Sequence, residues 1–384
     1  MREHPALDMA PAQEEHGVVV STDRPQPLTR DCLDPWNYLE ISARGEVRPC
    51  CNFDSIGRLD SDGRDTRALR NTDAFRALRE SLLNGNLQSP CQRCHIRSTV
   101  PVATLKQRVE AAVRAVPSPD PLDPLPVAEV RIDINEKCNL RCDYCAVSSP
   151  SYAGVEMEEA LFERIVPLLA NEPGAMVHVN GHGETTFHPK WVAWCRRIVE
   201  AGHRPYIITN LAKQYTDVEL DMLAEFRVIQ VSLDSDDGEM MKRIRKAVQV
   251  EKVFETIQRI REMAARRASS HVPRFWMSIG VYDPSIWTLE PFVQRLVGMN
   301  ISMITFWDLV EWPHQTLVRS LSRLDDRQRE RARQVLGRVR THLELAGIPY
   351  RFAGDFHSMV PVRSLLQRVI WRVGRLLRRA RHRT

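Results

Sequence analysis

The chain has 384 residues, 43% hydrophobic and 27% charged, with a net charge of +5 and nine cysteines. That composition describes an ordinary globular protein with room for one large domain and a smaller one. No run of eighteen apolar residues occurs, so no membrane-spanning helix is expected, and the start MREHPALDMAPAQEEHG lacks an apolar secretory core. A reducing cytoplasm is the expected setting, where cysteines serve metals better than disulfides. The positive charge is local: Pro361 to Thr384 holds eight arginines and no acid, which leaves the rest of the chain at −3. General polyanion affinity is thereby excluded for the main body, and no nucleic-acid partner is expected.

Residues 1–27 are polar, rich in Pro and Glu and without periodicity, and are expected to be disordered. Tyr38 to Ser42 alternates like a strand, Arg44-Gly45-Glu46 reads as a turn, and Val47 opens a second strand. Thr72 is placed to cap a helix carrying Phe75, Leu78 and Leu82 on one face, ended by Gly85. Cys91 and Cys94 then form a C-x2-C pair. Hairpin, helix and turn together gather Cys32, Cys50, Cys51, Cys91 and Cys94. Four thiolates close either a [4Fe–4S] site or a structural zinc site. A helix with Val102, Leu105, Val109 and Val113 on one stripe leads to five prolines between Pro117 and Pro126. Prolines at that density predict an extended, semi-rigid linker over 116–128.

From residue 129 to about 310, strand and helix alternate. Strands are predicted at 130–134, 176–180, 205–209, 228–233, 275–281 and 302–307, with apolar-striped helices between them. That alternation predicts an α/β fold with a parallel sheet. The first strand ends in CNLRCDYC, which spaces Cys138, Cys142 and Cys145 as C-x3-C-x2-C. Three thiolates can share one metal centre and leave a coordination position open, where a substrate can bind. A zinc knuckle is the competing reading, but its fourth ligand would have to come from Cys195 or a distant histidine.

CNLRCDYC, with Tyr144 before its last cysteine, resembles the signature of the radical S-adenosylmethionine (SAM) enzymes. The six strand–helix units match that family's partial (β/α)6 TIM-like barrel, whose working residues stand at strand C-termini. What the resemblance implies is that Cys138, Cys142 and Cys145 hold a [4Fe–4S] cluster whose open iron binds SAM. Asn180-Gly181-His182-Gly183-Glu184 looks like the family's Gly-Gly-Glu motif for the SAM amino group, with His182 interposed and Thr185 where proline is commoner. Thr209-Asn210 resembles a pair found in many relatives. Ser232 and Asp234 are placed to reach the ribose hydroxyls, and Arg245 to pair with the SAM carboxylate. The bland alternatives are a turn for Asn210, helix caps for Asp236 and Asp237, and a solvated face for Arg245.

The upstream cysteines resemble the auxiliary-cluster domain called SPASM, or its shorter twitch form, over 28–115. By that pattern Cys32, Cys50, Cys91 and Cys94 are ligands of an auxiliary [4Fe–4S] cluster, with Cys51 spare or replacing Cys50. This domain usually follows the SAM domain; here it precedes it. The resemblance implies an oxidoreductase that abstracts a hydrogen from a small molecule or peptide and passes an electron to the auxiliary cluster. It also implies an electron donor such as flavodoxin or ferredoxin. A redox-neutral epimerase and a non-catalytic iron–sulfur or zinc protein are the alternatives. Cys195 is expected to be a packed thiol, and His188 to precede a helix. Trp307, Asp308, Glu311, Trp312 and His314 in FWDLVEWPHQ face either substrate or ordinary loop packing. Residues 311–360 read as a helical extension. Residues 361–384 read as a basic amphipathic helix, suited to the barrel surface or to peripheral contact with an anionic membrane.

Overall fold

The computed structural model describes residues 26–353 and Met359, apart from 60–64, 95, 115, 117–119, 247 and 268–270. The basic tail and most of the expected disordered start therefore lie outside the described residues.

Strand β1 (Leu28–Arg30) and helix α1 (Asp34–Asn37) lead into β2 (Tyr38–Ile41), β3 (Glu46–Arg48) and β4 (Gly57–Arg58). The β2–β3 turn is closed by Ser42 N–H on Glu46 O at 2.9 Å, and Gly45 takes the left-handed φ of 78° that the turn needs. Next come α2 (Thr66–Leu69), α3 (Asp73–Asn84), α4 (Ser89–Gln92), β5 (Thr99–Pro101) and α5 (Val102–Val113). Leu82 of α3 and Leu105, Val109 and Val113 of α5 pack around Trp36 in a small core of their own. Gly85 ends α3 as expected, whereas the Thr72 hydroxyl makes no cap bond.

Residues 120–125 of the proline-rich segment are strapped down, contrary to the expectation of a spacer, while 117–119 lie outside the described residues. Buried Arg79 donates to the Pro35 and Leu122 carbonyls at 2.9 and 2.7 Å, and buried Arg70 donates to Leu125 O at 2.9 Å. Arg76 pairs with Asp120 and Asp123, each at 2.9 Å. Two buried guanidiniums thus satisfy carbonyls that a proline-rich backbone, short of N–H donors, cannot pair by itself.

The large unit continues through β6 (Glu129–Ile132), α6 (Glu159–Ala170), β7 (Met176–His178), α7 (Trp191–Glu200), β8 (Tyr206–Thr209) and α8 (Asp217–Leu223). It is completed by β9 (Val228–Ser232), α9 (Gly238–Arg245), α10 (Val250–Ala265), β10 (Arg274–Val281), α11 (Leu289–Val297), β11 (Met303–Asp308), α12 (Asp326–Ala346) and β12 (Tyr350–Ala353). One sheet runs β12-β11-β10-β9-β8-β7-β6-β2-β3-β4. All six predicted strands form and pair in parallel. Two parallel neighbours were not expected. β12 adds beyond β11, so the helical extension is really a further helix–strand unit. β2 adds beside β6, with Tyr38 opposite Glu129, so the cysteine-bearing hairpin is part of the same sheet.

Alternation along each strand divides the sheet. Val130, Ile132, Val177, Ile207, Ile229, Val231, Phe275, Met277, Ile304 and Phe306 are buried in the main core with residues from the helices. Residues of the other parity, among them Glu129, Arg131, His178, Tyr206 and Gln230, face the concave side. Trp307 of β11 lines the same cavity as Tyr38 and Arg131, and Arg351 reaches Ile96 O at 3.3 Å, so the sheet's ends curl toward each other. Among the described residues β12 and β4 do not pair, and the barrel stays partial. No helix is long and apolar enough to cross a membrane, again among the described residues.

Candidate active site and second cysteine site

The loop after β6 carries Cys138, Cys142 and Cys145, each half-buried. Burial, with neighbouring cysteines adding to it, pushes the Cys138 thiol up to about 11 and the Cys142 thiol up to about 12. Such thiols become thiolates when a metal centre supplies the compensating positive charge. Among the described residues no three His, Cys, Asp or Glu side chains converge closely enough for a single ion. The three thiols influence one another's charge, as side chains gathered on one short loop do.

This loop is fastened from three sides. Asp143 accepts from Leu317 N–H at 2.9 Å and Thr316 N–H at 3.2 Å, and His314 Nε2 donates to Cys145 O at 3.0 Å. Asn210 donates to Asn139 at 2.9 Å and lies 3.9 Å from the Cys138 sulfur. Beneath the loop, fully buried Asp234 accepts from Tyr144 OH at 2.7 Å, Tyr282 OH at 2.8 Å and Gly280 N–H at 2.9 Å. Arg245 is committed to Asp234 and to Ser232 O, which uses all its nitrogens. Arg245 therefore stands as a buried support, neither the solvated residue nor the free SAM partner that the sequence suggested. Asp234 likewise has no exposed edge to offer a ribose.

After β7 the chain folds tightly over the cysteine loop. A Cβ on Gly181 would stand 1.7 Å from Asp133 Cγ, and one on Gly183 2.2 Å from Lys137 O. Gly183 N–H donates to Asn135 O at 3.1 Å, and Glu184 N–H to Lys137 O at 2.9 Å. The buried Glu184 carboxylate accepts from Thr186 N–H, the Thr186 and Thr209 hydroxyls and Asn210 N–H at 2.8–3.1 Å. Burial still raises its pKa. Glu184 was expected to receive an ammonium; its four protein donors make it the knot between this loop and the end of β8. Ser232 stands half-buried at the end of β9. His182 Nδ1 lies 3.2 Å from Asp133, which raises the imidazole pKa. Cys195 is fully buried and His188 lies just before α7, both as expected, and the His188 ring also packs at a tilt against Trp194.

The second site lies at the opposite strand ends. Cys32, Cys50, Cys51, Cys91 and Cys94 line a cavity of about 190 Å³ together with Arg97, Glu129, Arg131 and Trp307. A space of that size suits a multi-atom group. Burial pushes the Cys50 thiol to about 12 and the Cys91 thiol to about 11. Cys50 feels Cys51 and Cys91, Cys32 feels Cys50, and Cys91 feels Cys94. Burial raises the Cys51 thiol as well, and the largest charge influences on it are Arg131 and Glu40.

Between the two cysteine sets the concave face is polar. Arg48 lies 3.5 Å from Glu40, and His178 stacks on Tyr206 at 4.0 Å. Burial, and then Arg131, lowers the His178 pKa to about 3, so the ring is neutral. The Nε atoms of Arg48 and Arg131, both His178 nitrogens and Asn180 Oδ1 are buried without a hydrogen-bond partner. Buried polar atoms left unpaired in this way cost stability unless a ligand or water meets them.

Residues 132–272 match the radical SAM superfamily profile, and residues 32–95 match the iron–sulfur cluster-binding domain called SPASM. The chain carries a radical SAM domain behind an N-terminal SPASM domain. The radical SAM match takes in the cysteine loop, the Gly-His-Gly-Glu loop, Asp234 and Arg245; the SPASM match takes in all five upstream cysteines. Together these domains imply SAM and [4Fe–4S] clusters, one of them auxiliary. Curated relatives include a probable GTP 3′,8-cyclase of Pyrococcus abyssi, 27% identical over 176 residues, covering 44% of this chain and 54% of that protein. Another is the tungsten-containing aldehyde ferredoxin oxidoreductase cofactor-modifying protein of Pyrococcus furiosus, 27% identical over 184 residues, covering 47% and 51%. The alignments thus span about half the length of these relatives. Among solved structures, Streptococcus suis SuiB bound to S-adenosylmethionine is 16% identical, with a TM-score of 0.47 over 83% of this chain and 71% of that one.

Proposed function

We propose that this radical SAM chain is an oxidising enzyme that takes a hydrogen from a polar small molecule or peptide held on the concave face of the sheet. The observation that carries this reading is the arrangement of two cysteine sets at opposite ends of one face, with unpaired buried polar atoms between them. Cys138, Cys142 and Cys145 would hold the SAM-binding cluster, and Cys32, Cys50, Cys91 and Cys94 the auxiliary one. When bound, the cluster and SAM supply one-electron cleavage to a 5′-deoxyadenosyl radical, and the auxiliary cluster supplies an acceptor for the electron left on the substrate. The protein's own part is placement. Gly181 and Gly183 let backbone approach SAM, Glu184 and Asn210 fix that backbone, and Ser232 borders the same strand ends. Asp234, Arg245 and Tyr144 hold the cysteine loop rigid from beneath. The Nε atoms of Arg48 and Arg131, His178 Nδ1 and Asn180 Oδ1 are left to hydrogen-bond the substrate, and Asp133 holds His182 where a substrate proton can be received.

The test is anaerobic reconstitution of the full chain, followed by iron and sulfide analysis and incubation with dithionite and SAM. Formation of 5′-deoxyadenosine is expected, and its loss in Cys142→Ala. A chain with full iron content and no 5′-deoxyadenosine would overturn the proposal.

A further inference from the structure

A second concavity, of about 560 Å³, opens at the N-terminal ends of β7 to β10. It is lined by Arg204, Arg227 and Arg274, by His203 and His271, and by no carboxylate. The three arginines belong to adjacent strands. Arg274 is in register with Val228, the residue after Arg227, and Val228 is in turn in register with Tyr206, two residues after Arg204. The three arginines thus stand at the starts of three neighbouring strands, on the rim of one concavity. All three are exposed, and none has an ion-pair partner among the described residues.

Several other surface arginines of the same unit are neutralised in place. Arg197 pairs with Glu163, Arg259 with Asp217, Arg267 with Asp221 and Glu225, and Arg295 with Glu251. Unpaired guanidiniums around one concavity, with no carboxylate in its lining, favour an anionic visitor. The concavity also adjoins the second cysteine site. Its lining residue Met176 is in register with Glu129, which lines the cysteine cavity. Arg30, Arg97 and Arg131 line that cavity together with Asp34 and Glu129, and Arg97 pairs with Asp34.

We infer that the Arg204–Arg227–Arg274 row is the docking surface for an acidic electron-transfer protein, which it holds beside the auxiliary cysteines. The choice of an electron carrier rests on the proposed auxiliary cluster; the choice of an acidic partner rests on the row alone. A polar, charged and open concavity favours a protein surface over a small apolar ligand, whose sites are mostly hydrophobic. Complementary charge of this kind acts mainly on association rate and is screened by salt.

The experiment uses the reconstituted full chain and an acidic [2Fe–2S] ferredoxin as probe, with association rates measured across ionic strength. Association that slows as salt rises is expected, together with a loss of at least about tenfold at low salt in R204E/R227E/R274E. The single variants R227Q and R274Q should each slow association by a smaller factor, which guards against misfolding of the triple variant. With dithionite as reductant, 5′-deoxyadenosine formation should stay unchanged in all of them. Unaltered association in these variants overturns the proposal. So does saturable binding of inorganic pyrophosphate that needs the three arginines while ferredoxin binding does not. Cys91→Ala separates the two readings: it should lose auxiliary iron and still bind the probe. A wild-type chain without auxiliary iron would sink the cluster reading, whatever the binding data show.

Discussion

Arg245 meets Asp234 side-on, with Nε 2.9 Å from Oδ2 and Nη2 2.8 Å from Oδ1, and both side chains are withdrawn from solvent. The guanidinium beside it keeps the Asp234 carboxyl below its ordinary range despite burial, with the Tyr144 and Gly280 donors adding to the effect. Removing one partner of a buried pair strands the other charge, which costs about 3–5 kcal/mol. Arg245→Met is therefore expected to lower the denaturation midpoint sharply and to reduce iron retained by the cysteine loop. Denaturant melts with parallel iron assays check both. An Arg245→Met chain of wild-type stability would show that the pair is dispensable.

Gly183→Ala tests the close approach of the two loops. Its new methyl would stand 2.2 Å from Lys137 O and 2.4 Å from Asn135 O, both backbone atoms that cannot swing aside. The Gly-His-Gly-Glu loop must lift from the cysteine loop. SAM affinity, measured by calorimetry on the reconstituted chain, should fall by at least about tenfold, equivalent to about 1.4 kcal/mol.

Auxiliary iron should distinguish the adjacent cysteines. Cys50 is electrostatically linked to Cys51, Cys32 and Cys91, whereas the Cys51 thiol, raised chiefly by burial, is next influenced by Arg131 and Glu40. Cys50→Ala should lose about four irons per chain and Cys51→Ala none. Equal losses would mean that the two share the site.

His182 sets a pH dependence. Hydrogen bonding to Asp133, and then its charge, raises the folded-state pKa above 6.5. A raised value means that the contribution to stability is complete below pH 6.5 and is lost as pH climbs through the folded-state value. The stability gap between wild type and His182→Gln should thus be widest in mild acid and narrow toward alkaline pH. Thermal melts across that range report it, and a gap that widens with pH would contradict the pairing.

The parallel strands were legible because strict alternation and intervening apolar stripes leave little choice of period. Val130, Ile132, Ile229 and Val231 announced their strands by themselves. Tyr38–Ile41 read as a strand too, but nothing local says that its partner is β6, ninety residues away. Tyr350–Ala353 is too short to carry a pattern. The cysteine spacing marked the loop after β6, since three thiols so close in sequence have few other uses. Asp234 and Arg245 were seen separately and given separate tasks; eleven residues and a helix hide the fact that they satisfy each other. Asp143 and His314, which fasten the cysteine loop to the segment after β11, left only a weak trace, a polar cluster near Trp312. The prolines of 117–126 misled because proline statistics describe a chain in water, and buried Arg70 and Arg79 change the solvent to guanidinium.

The position of β2 beside β6 bears on the inverted domain order. In a sheet that curls until Trp307 and Glu129 border one cavity, the strand before the first and the strand after the last stand over the same ground. A cysteine hairpin supplied from either end of the gene product would arrive at that seam. Seen this way, the order of the two domains along the chain is a choice of wiring, and a transplant of residues 28–128 to follow β12 has a geometric path to function.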